Sequence, residues 1–211
     1  MHDVHRTFGA HVVLDGIELA VAAGETCVIS GGNGTGKSTL LDVAVGALPA
    51  TRGDVHIGGL SIDDGRARRG VGYAPAHAAL PEQLAVHEWI DVVAALRGVS
   101  PRQVDDATTR WGLAAITDAR LAALSLGQRR RLALATATMG APPLLVLDEP
   151  TVGLDVEGVA FLVRTLEAHR AAGGAALVAS HEAAFVDAIH ATRRALVAGR
   201  IAPSATAGAA R

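Results

Sequence analysis

The chain has 211 residues, 50% of which are hydrophobic, and a formal net charge of −2. This length fits one domain, or one domain with an inserted subdomain, and the hydrophobic fraction excludes a disordered protein because it is ample for a packed core. The nearly balanced charge excludes an overall basic field of the kind that recruits nucleic acid or anionic lipid.

The N-terminal segment has the pattern of β-strands. Strands are predicted at about His2–Phe8 and Gly16–Val21, and an apolar strand at Thr26–Ser30 leads into a glycine-rich loop. The last strand contains Cys27, the only cysteine, which excludes an intramolecular disulfide framework and a multi-cysteine zinc site. We expect this cysteine to be a small buried hydrophobic residue.

The glycine-rich loop matches a phosphate-binding motif. Residues 31–38 read GGNGTGKS, which fits G-x-x-x-x-G-K-[ST] with the fixed residues Gly31, Gly36, Lys37 and Ser38. Glycines let successive backbone N–H groups turn towards phosphates, while Lys37 would reach the β/γ oxygens and the Ser38 hydroxyl would ligate Mg²⁺. Because a predicted strand precedes the loop and a predicted helix follows it, the motif indicates nucleoside triphosphate binding.

The middle of the chain changes from strand to helix patterns. Short strands are predicted at Gly53–Ile57 and Gly70–Ala74. Ser100–Gln103 reads as a capping box with proline at the first helical position. One apolar helix face, with i, i+3, i+4, i+7 spacing, is formed by Val86, Trp89, Ile90 and Val93. We therefore predict a helical subdomain at about residues 76–136, inserted into an α/β core.

Two carboxylates follow a later apolar strand. Residues 144–147 lead directly to Asp148 and Glu149, at the strand end where open α/β sheets collect their ligands. In triphosphate hydrolysis one such acid anchors Mg²⁺ and its neighbour polarises the attacking water, whereas an isolated Asp-Glu pair is more often a solvated turn.

The C-terminal part continues the α/β pattern. A helix is predicted from about Glu157 to Ala172, and a buried strand at Ala175–Ala179 ends in Ser180-His181. We predict one domain over residues 1–201. The tail at 202–211 is expected to be disordered because it has little large apolar surface.

The order of these motifs resembles that of the ATP-binding cassette (ABC) ATPases over residues 2–201. Leu124–Gln128 reads LSLGQ, which is similar to the family's LSGGQ signature with Leu126 at the first glycine. Residues 144–149 resemble Walker B, residues 150–155 resemble the D-loop, and His181 resembles the switch histidine. The resemblance implies an α/β fold: a P-loop NTPase core with a RecA-like sheet, N-terminal antiparallel β strands and the inserted helical subdomain.

The resemblance also implies a role for each motif. Asp148 and Ser38 would hold Mg²⁺, Glu149 would act as general base, and His181 would contact the γ-phosphate. Phe8 occupies the position of the adenine-stacking aromatic, with core packing as the alternative. Contacts with ATP are implied for Gly31, Asn33, Gly34, Thr35, Gly36, Lys37, Ser38 and Thr39, and Lys37 also has a catalytic role. Ser125, Gly127 and Gln128 would contact the ATP of a second cassette packed head to tail.

One position departs from the family. The usual glutamine between core and helical subdomain, which contacts Mg²⁺ and the attacking water, is replaced by Ala76. His77 is the nearest polar substitute, although a solvent-facing loop histidine is the simpler interpretation. The departure affects the rate and coupling of hydrolysis more than nucleotide binding.

The resemblance implies a transporter subunit whose membrane-spanning partner is a separate polypeptide. No apolar run approaches the ~20 residues of a membrane-spanning helix, so we expect a soluble chain on the cytoplasmic face of the cell membrane. The second cassette would be an identical copy or a paralogue, and no specific nucleic acid is expected. The alternative is a soluble ABC ATPase of DNA repair, chromosome organisation or translation.

Overall fold

The computed structural model describes residues 1–77 and 79–202, so most of the predicted tail at 202–211 lies outside the described residues. The strands are β1 (His2–Phe8), β2 (His11–Ile17), β3 (Thr26–Ser30), β4 (Arg52–Asp54), β5 (His56–Ile57), β6 (Leu60–Ser61), β7 (Val71–Ala74), β8 (Leu144–Asp148), β9 (Ala175–Ala179), β10 (Thr192–Val197) and β11 (Arg200–Ile201). The helices are α1 (Lys37–Ala44), α2 (Gly65–Arg69), α3 (Val86–Arg97), α4 (Pro101–Arg110), α5 (Leu126–Thr138), α6 (Val156–Ala171) and α7 (Ala183–Ala188).

The central sheet has the strand order β11-β10-β3-β9-β8-β7. The five strands from β10 to β7 pair in parallel, and β11 is antiparallel to β10. Their apolar runs fit this position because a parallel strand covered by helices is buried on both faces; all five residues of β9 are buried. The predicted α/β class is confirmed.

The N-terminal strands form a separate antiparallel sheet with the order β2-β1-β4. Phe8 lies opposite His11, so a two-residue turn at 9–10 joins β1 to β2. The prediction of a strand at Gly16–Val21 was therefore wrong, because β2 begins at His11 and ends at Ile17. Tight two-residue turns set the register of a hairpin, and the apolar pattern at residues 18–21 could not reveal this. The single strand predicted at Gly53–Ile57 was also wrong, because β4 pairs with β1 whereas β5 pairs with β6.

Helices α3, α4 and α5 connect β7 to β8. The predicted apolar face of α3 is present, with Val86 and Ile90 buried. Helix α4 begins at Pro101, where the Gln103 side chain accepts a hydrogen bond from the Ser100 N–H at 3.1 Å. Helix α5 packs against β7 and contacts both α3 and α4, and the signature segment lies at its start.

Side chains of alternate strand residues fill two apolar cores, one on each face of the central sheet. Along β8, Leu145 and Leu147 pack in a core with α3, α5 and α6, whereas Val146 packs in a core with α1 and the N-terminal sheet. A fully buried aliphatic side chain of this size stabilises the fold by about 1.5–3 kcal/mol. Cys27 belongs to the second core, and burial raises its pKa to about 11, so its thiol stays protonated at neutral pH.

Gly72 in β7 is in close contact with the C-terminal end of α5. A Cβ at this position would collide with the main-chain oxygen of Ala137 and lie 2.8 Å from side-chain atoms of Leu145 and Pro142. We expect Gly72→Ala to lower the free energy of unfolding by about 2–3 kcal/mol, because the carbonyl belongs to backbone that cannot move independently. Denaturant titration checks this, with Gly65→Ala as a control because a Cβ there has room; equal stability of the two variants would contradict the close approach.

Candidate functional site

The central sheet brings three sequence motifs to one edge. Strands β3, β9 and β8 are neighbours and run in parallel, so their carboxyl ends meet. The phosphate loop follows β3, His181 follows β9, and Asp148 ends β8. Open α/β sheets bind their ligands at this edge.

The phosphate loop turns directly into α1. Gly36 caps the helix with φ of +98°, a left-handed conformation, and a Cβ there would lie 2.8 Å from Val13. Glycine is therefore required at this position by both the turn and the neighbouring strand β2. The first N–H groups of α1 have no helical acceptor, and the positive end of the helix dipole faces the loop. Together these features suit a bound phosphate.

Lys37 supplies positive charge beneath the loop. Only 8% of this residue is exposed, and its Nζ donates hydrogen bonds to the carbonyl oxygens of Gly31 at 2.9 Å and Gly32 at 3.0 Å. Both acceptors are uncharged carbonyl oxygens, so these contacts do not pair Lys37 with an anion. Lys37 is also the only lysine in the 211-residue sequence.

A cleft of ≈ 360 Å³ lies over the loop and the end of β8. It is lined by Val13, Asn33, Gly34, Gly36, Lys37, Ser38, Thr39, Asp148 and Glu149. Most residues predicted from the phosphate-loop and carboxylate motifs therefore lie at one site. Gly31 and Thr35 support the loop from within: Thr35 donates to the Gly32 carbonyl at 2.9 Å. Val13 was missed, since an ordinary apolar residue of a strand carries no sequence signal.

The oxygen atoms of Asp148 and Ser38 are suitable ligands for a small hard cation. Burial raises the pKa of Asp148, and the adjacent Ser38 hydroxyl lowers it in part. Mg²⁺ is commonly held by one or two protein oxygens together with substrate phosphates, and the Asp148 carboxylate and the Ser38 hydroxyl are two such oxygens side by side. The residues described at this edge of the sheet thus fit Mg²⁺ accompanied by a nucleotide.

Glu149 and His181 are in direct contact. Nδ1 of His181 lies 2.9 Å from both carboxylate oxygens of Glu149, which is hydrogen-bonding distance. Glu149 has φ of +44°, a conformation that costs a non-glycine residue about 1 kcal/mol or more. Its N–H donates to the Ala179 carbonyl of β9 at 2.9 Å, which holds the turn in place. The strained turn keeps the carboxylate at the cleft.

The signature segment forms the exposed N-terminus of α5. Ser125 caps the helix: its side chain accepts from the Gln128 N–H at 3.2 Å, and the Gln128 side chain accepts from the Ser125 N–H at 2.9 Å. A Cβ at Gly127 would lie 2.8 Å from the carbonyl oxygen of Gly153, so the close contact with the D-loop requires glycine. None of these signature residues is among the described lining of the cleft.

Phe8 is also absent from the described lining of the cleft. Its ring is 47% exposed at the tip of the β1–β2 hairpin, and the Arg6 guanidinium lies 4.5 Å from the ring centroid. The exposure of the ring argues against core packing, and the Arg6 guanidinium lies over one of its faces.

The loop after β7 contains Ala76 and the exposed His77. Both line a groove of ≈ 120 Å³ against α5, and neither is among the described residues of the cleft. Arg130 of α5 lies against this loop and is only 4% exposed. Nothing in the run of three arginines at 129–131 distinguishes Arg130 from its neighbours, so the sequence does not identify it as a buried residue beside the site.

No helix in the described part of the chain has the length and apolar character that a membrane crossing requires.

Comparison with known proteins identifies the family. Residues 14–152 match the family described as "ABC transporter". The chain is 37% identical over 183 residues to the cytochrome c biogenesis ATP-binding export protein CcmA of Xanthomonas axonopodis pv. citri, covering 86% of each chain. It is 39% identical over 173 residues to the protein of that name from Rhodobacter capsulatus, covering 82% of this chain and 76% of the relative.

Solved structures of ATP-binding cassettes have the same fold as this chain. The ATP-binding subunit of an ABC transporter superposes with a TM-score of 0.88 at 26% identity, covering 95% of this chain and 86% of that one. A dimeric ATP-binding cassette in a post-hydrolysis state, at 21% identity and a TM-score of 0.84, shares the fold over 96% of this chain and 95% of its own. These matches favour a transporter subunit over an ATPase of DNA repair, chromosome organisation or translation. The chain belongs to the ABC transporter family, as an ATP-binding subunit that hydrolyses ATP to drive transport.

Proposed function

We propose that this chain is the ATP-hydrolysing subunit of an exporter, bound to a separate membrane-spanning subunit on the cytoplasmic face of the cell membrane. The direction of transport is inferred from the relatives, which are export proteins in cytochrome c biogenesis. A role in the same process is the specific form of this proposal. We further propose that residues 1–201 act as one domain, with the helical segment 76–136 inserted in it.

The observation that carries the proposal is the meeting of Lys37, Asp148, Glu149 and His181 at one sheet edge. Lys37 and the N–H groups of α1 would bind the β- and γ-phosphates, while Ser38 and Asp148 would hold Mg²⁺. When bound, Mg²⁺ neutralises charge on the phosphates. Glu149 would accept a proton from the attacking water, and its contact with His181 at 2.9 Å fixes the orientation of the carboxylate.

We propose that two cassettes pack head to tail so that Ser125, Gly127 and Gln128 of one chain face the ATP of the other. Support comes from the exposed position of the signature at the start of α5, outside the cleft of its own chain. The N-terminus of α5 offers free N–H groups and a positive dipole end to a phosphate. The adenine would stack on the exposed ring of Phe8.

Ala76 gives a prediction about the rate. We expect Ala76→Gln to raise hydrolysis in the assembled complex by up to about tenfold, since a hydrogen bond to a charged group is worth about 1.5–3 kcal/mol and roughly half would survive in the transition state. Steady-state ATPase assays with the membrane subunit present test this. His77→Ala should leave the rate unchanged; a loss in that variant together with no gain from glutamine would mean that His77 already has the role.

Purification from native membranes tests the proposed function as a whole. The tagged chain, extracted in detergent, should carry with it a protein that has several apolar segments of ~20 residues. In the source organism, a deletion strain should lose c-type cytochromes and regain them with the wild-type chain but not with Glu149→Gln. If the chain purified without any membrane protein and hydrolysed ATP at full rate as a monomer, the proposed function as an exporter subunit would be wrong.

A further inference from the structure

Arg130 of α5 is a buried cation. Its neighbours Arg129 and Arg131 are partly exposed, but Arg130 itself is only 4% exposed. Burying a guanidinium is costly unless its N–H groups find acceptors. Its contacts therefore show what the residue does in the fold.

The guanidinium of Arg130 binds main-chain carbonyls of three separate segments. Nη2 donates to Ala76 at 2.7 Å and Nη1 to Pro75 at 3.0 Å, both in the loop after β7. Nη1 also lies 3.4 Å from the carbonyl of Asp148 at the end of β8, and Nε donates to Val152 at 3.2 Å in the D-loop. Four interactions from one planar group fix these segments relative to one another.

The segments joined by Arg130 include the end of β8, which carries the two carboxylates proposed to act in hydrolysis. The carbonyl of Asp148 belongs to the peptide group that leads into Glu149, whose φ of +44° sets the direction of the carboxylate. The loop at 75–77 carries Ala76, which has no polar side-chain atom and is not among the described residues that line the cleft. In this chain the loop is instead connected to the carboxylates through its backbone and Arg130.

We propose that Arg130 is a positioning residue for ATP hydrolysis, which transmits the position of the loop at residues 75–77 to the main chain of Asp148 and thereby to the carboxylate of Glu149. The inference rests on the proposed function of the cleft. The loop at residues 75–77 lines a surface groove. A partner bound in this groove could therefore alter the rate of ATP hydrolysis without contacting the nucleotide.

Arg97 provides a matched control. Arg97 is half-buried, and like Arg130 it donates to main-chain carbonyls: those of Thr136 at 2.5 Å, Ala137 at 3.1 Å and Val71 at 3.0 Å. These contacts join the far ends of α5 and β7, away from the cleft. Arg97→Gln therefore removes comparable hydrogen bonds without touching the residues next to Asp148.

The test compares Arg130→Gln, Arg130→Lys and Arg97→Gln in the full chain. Both glutamine variants should lower the Tm. Only Arg130→Gln should lower kcat, by about 10- to 100-fold, because small displacements of catalytic groups have effects of this size. KM and the affinity for trinitrophenyl-ATP should change by less than about twofold, since binding does not depend on Glu149. Arg130→Lys should behave like the glutamine variant, because one ammonium cannot bridge three segments; it also carries the test if Arg130→Gln fails to fold.

Hydrogen–deuterium exchange in the nucleotide-free chain tests the link without any activity. Arg130→Gln should speed exchange in peptides covering 71–77 and 148–153 together, whereas Arg97→Gln should speed it at 134–140. Equal kcat losses in the Arg130 and Arg97 variants, or unchanged exchange at 148–153 in Arg130→Gln, would overturn the proposal. A failure of the proposed function would look different: the wild-type chain would neither bind trinitrophenyl-ATP nor hydrolyse ATP, while the exchange pattern would be unaffected.

Discussion

Glu149→Gln is expected to lower the rate of ATP hydrolysis by ~10²–10⁴-fold, the loss typical of a missing general base. Glutamine keeps the shape of the side chain and can still form a hydrogen bond with Nδ1 of His181, which lies 2.9 Å from Glu149. It cannot take a proton from water. ATP binding should persist because the phosphate loop, Lys37 and Ser38 are untouched.

The Glu149→Gln variant should also accumulate an ATP-dependent dimer. If hydrolysis is blocked after two cassettes close around ATP, size measurement with ATP and Mg²⁺ should show a species twice the monomer mass, and ADP should not support it. Glu167→Gln on α6 is the matched control, since its carboxylate pairs with His190 at 3.6 Å, away from the cleft. A rate equal to that of the control would remove Glu149 from the reaction, and a variant that stayed monomeric with ATP would count against the shared site.

Lys37→Ala is expected to weaken ATP binding and abolish turnover. The buried ammonium is the charged group of the loop, and its two hydrogen bonds at 2.9 and 3.0 Å hold the carbonyls of Gly31 and Gly32. Removing one charge-assisted contact with phosphate costs about 1.5–3 kcal/mol, or roughly 10- to 100-fold in affinity, and the transition state loses more because it carries the developing charge.

Lys37→Met separates charge from shape, because it keeps most of the side-chain length without the ammonium. Both variants should lose affinity for trinitrophenyl-ATP while keeping a cooperative thermal transition. The wild-type chain offers an independent measurement: as its only lysine, Lys37 can be followed by mass spectrometry after amine acylation, and ATP with Mg²⁺ should protect it. Unchanged affinity in both variants, or equal labelling with and without nucleotide, would contradict the role of Lys37.

The local motifs were readable from the sequence because each depends on residues close together in the chain. The strand, glycine loop and helix at 26–44 were predicted with nearly the observed bounds, and the start of α4 at Pro101 was predicted from its capping box, because capping and turn chemistry are local. The order of the motifs was enough to identify the family. The strand at 11–17 was misplaced because its position depends on pairing with β1, which is a contact between strands.

Only the tertiary structure decided which residues meet. The parallel order of β3, β9 and β8 places His181 against Glu149, which lies 32 positions earlier in the sequence. The burial of Arg130 could not be inferred from a run of three arginines, because nothing in that run distinguishes it from its neighbours and only the carbonyls of the loop after β7, β8 and the D-loop make burial tolerable. The sequence thus determined the chemical groups available for hydrolysis, and the packing of the sheet and α5 determined their positions, since contacts between distant segments form only when the chain folds.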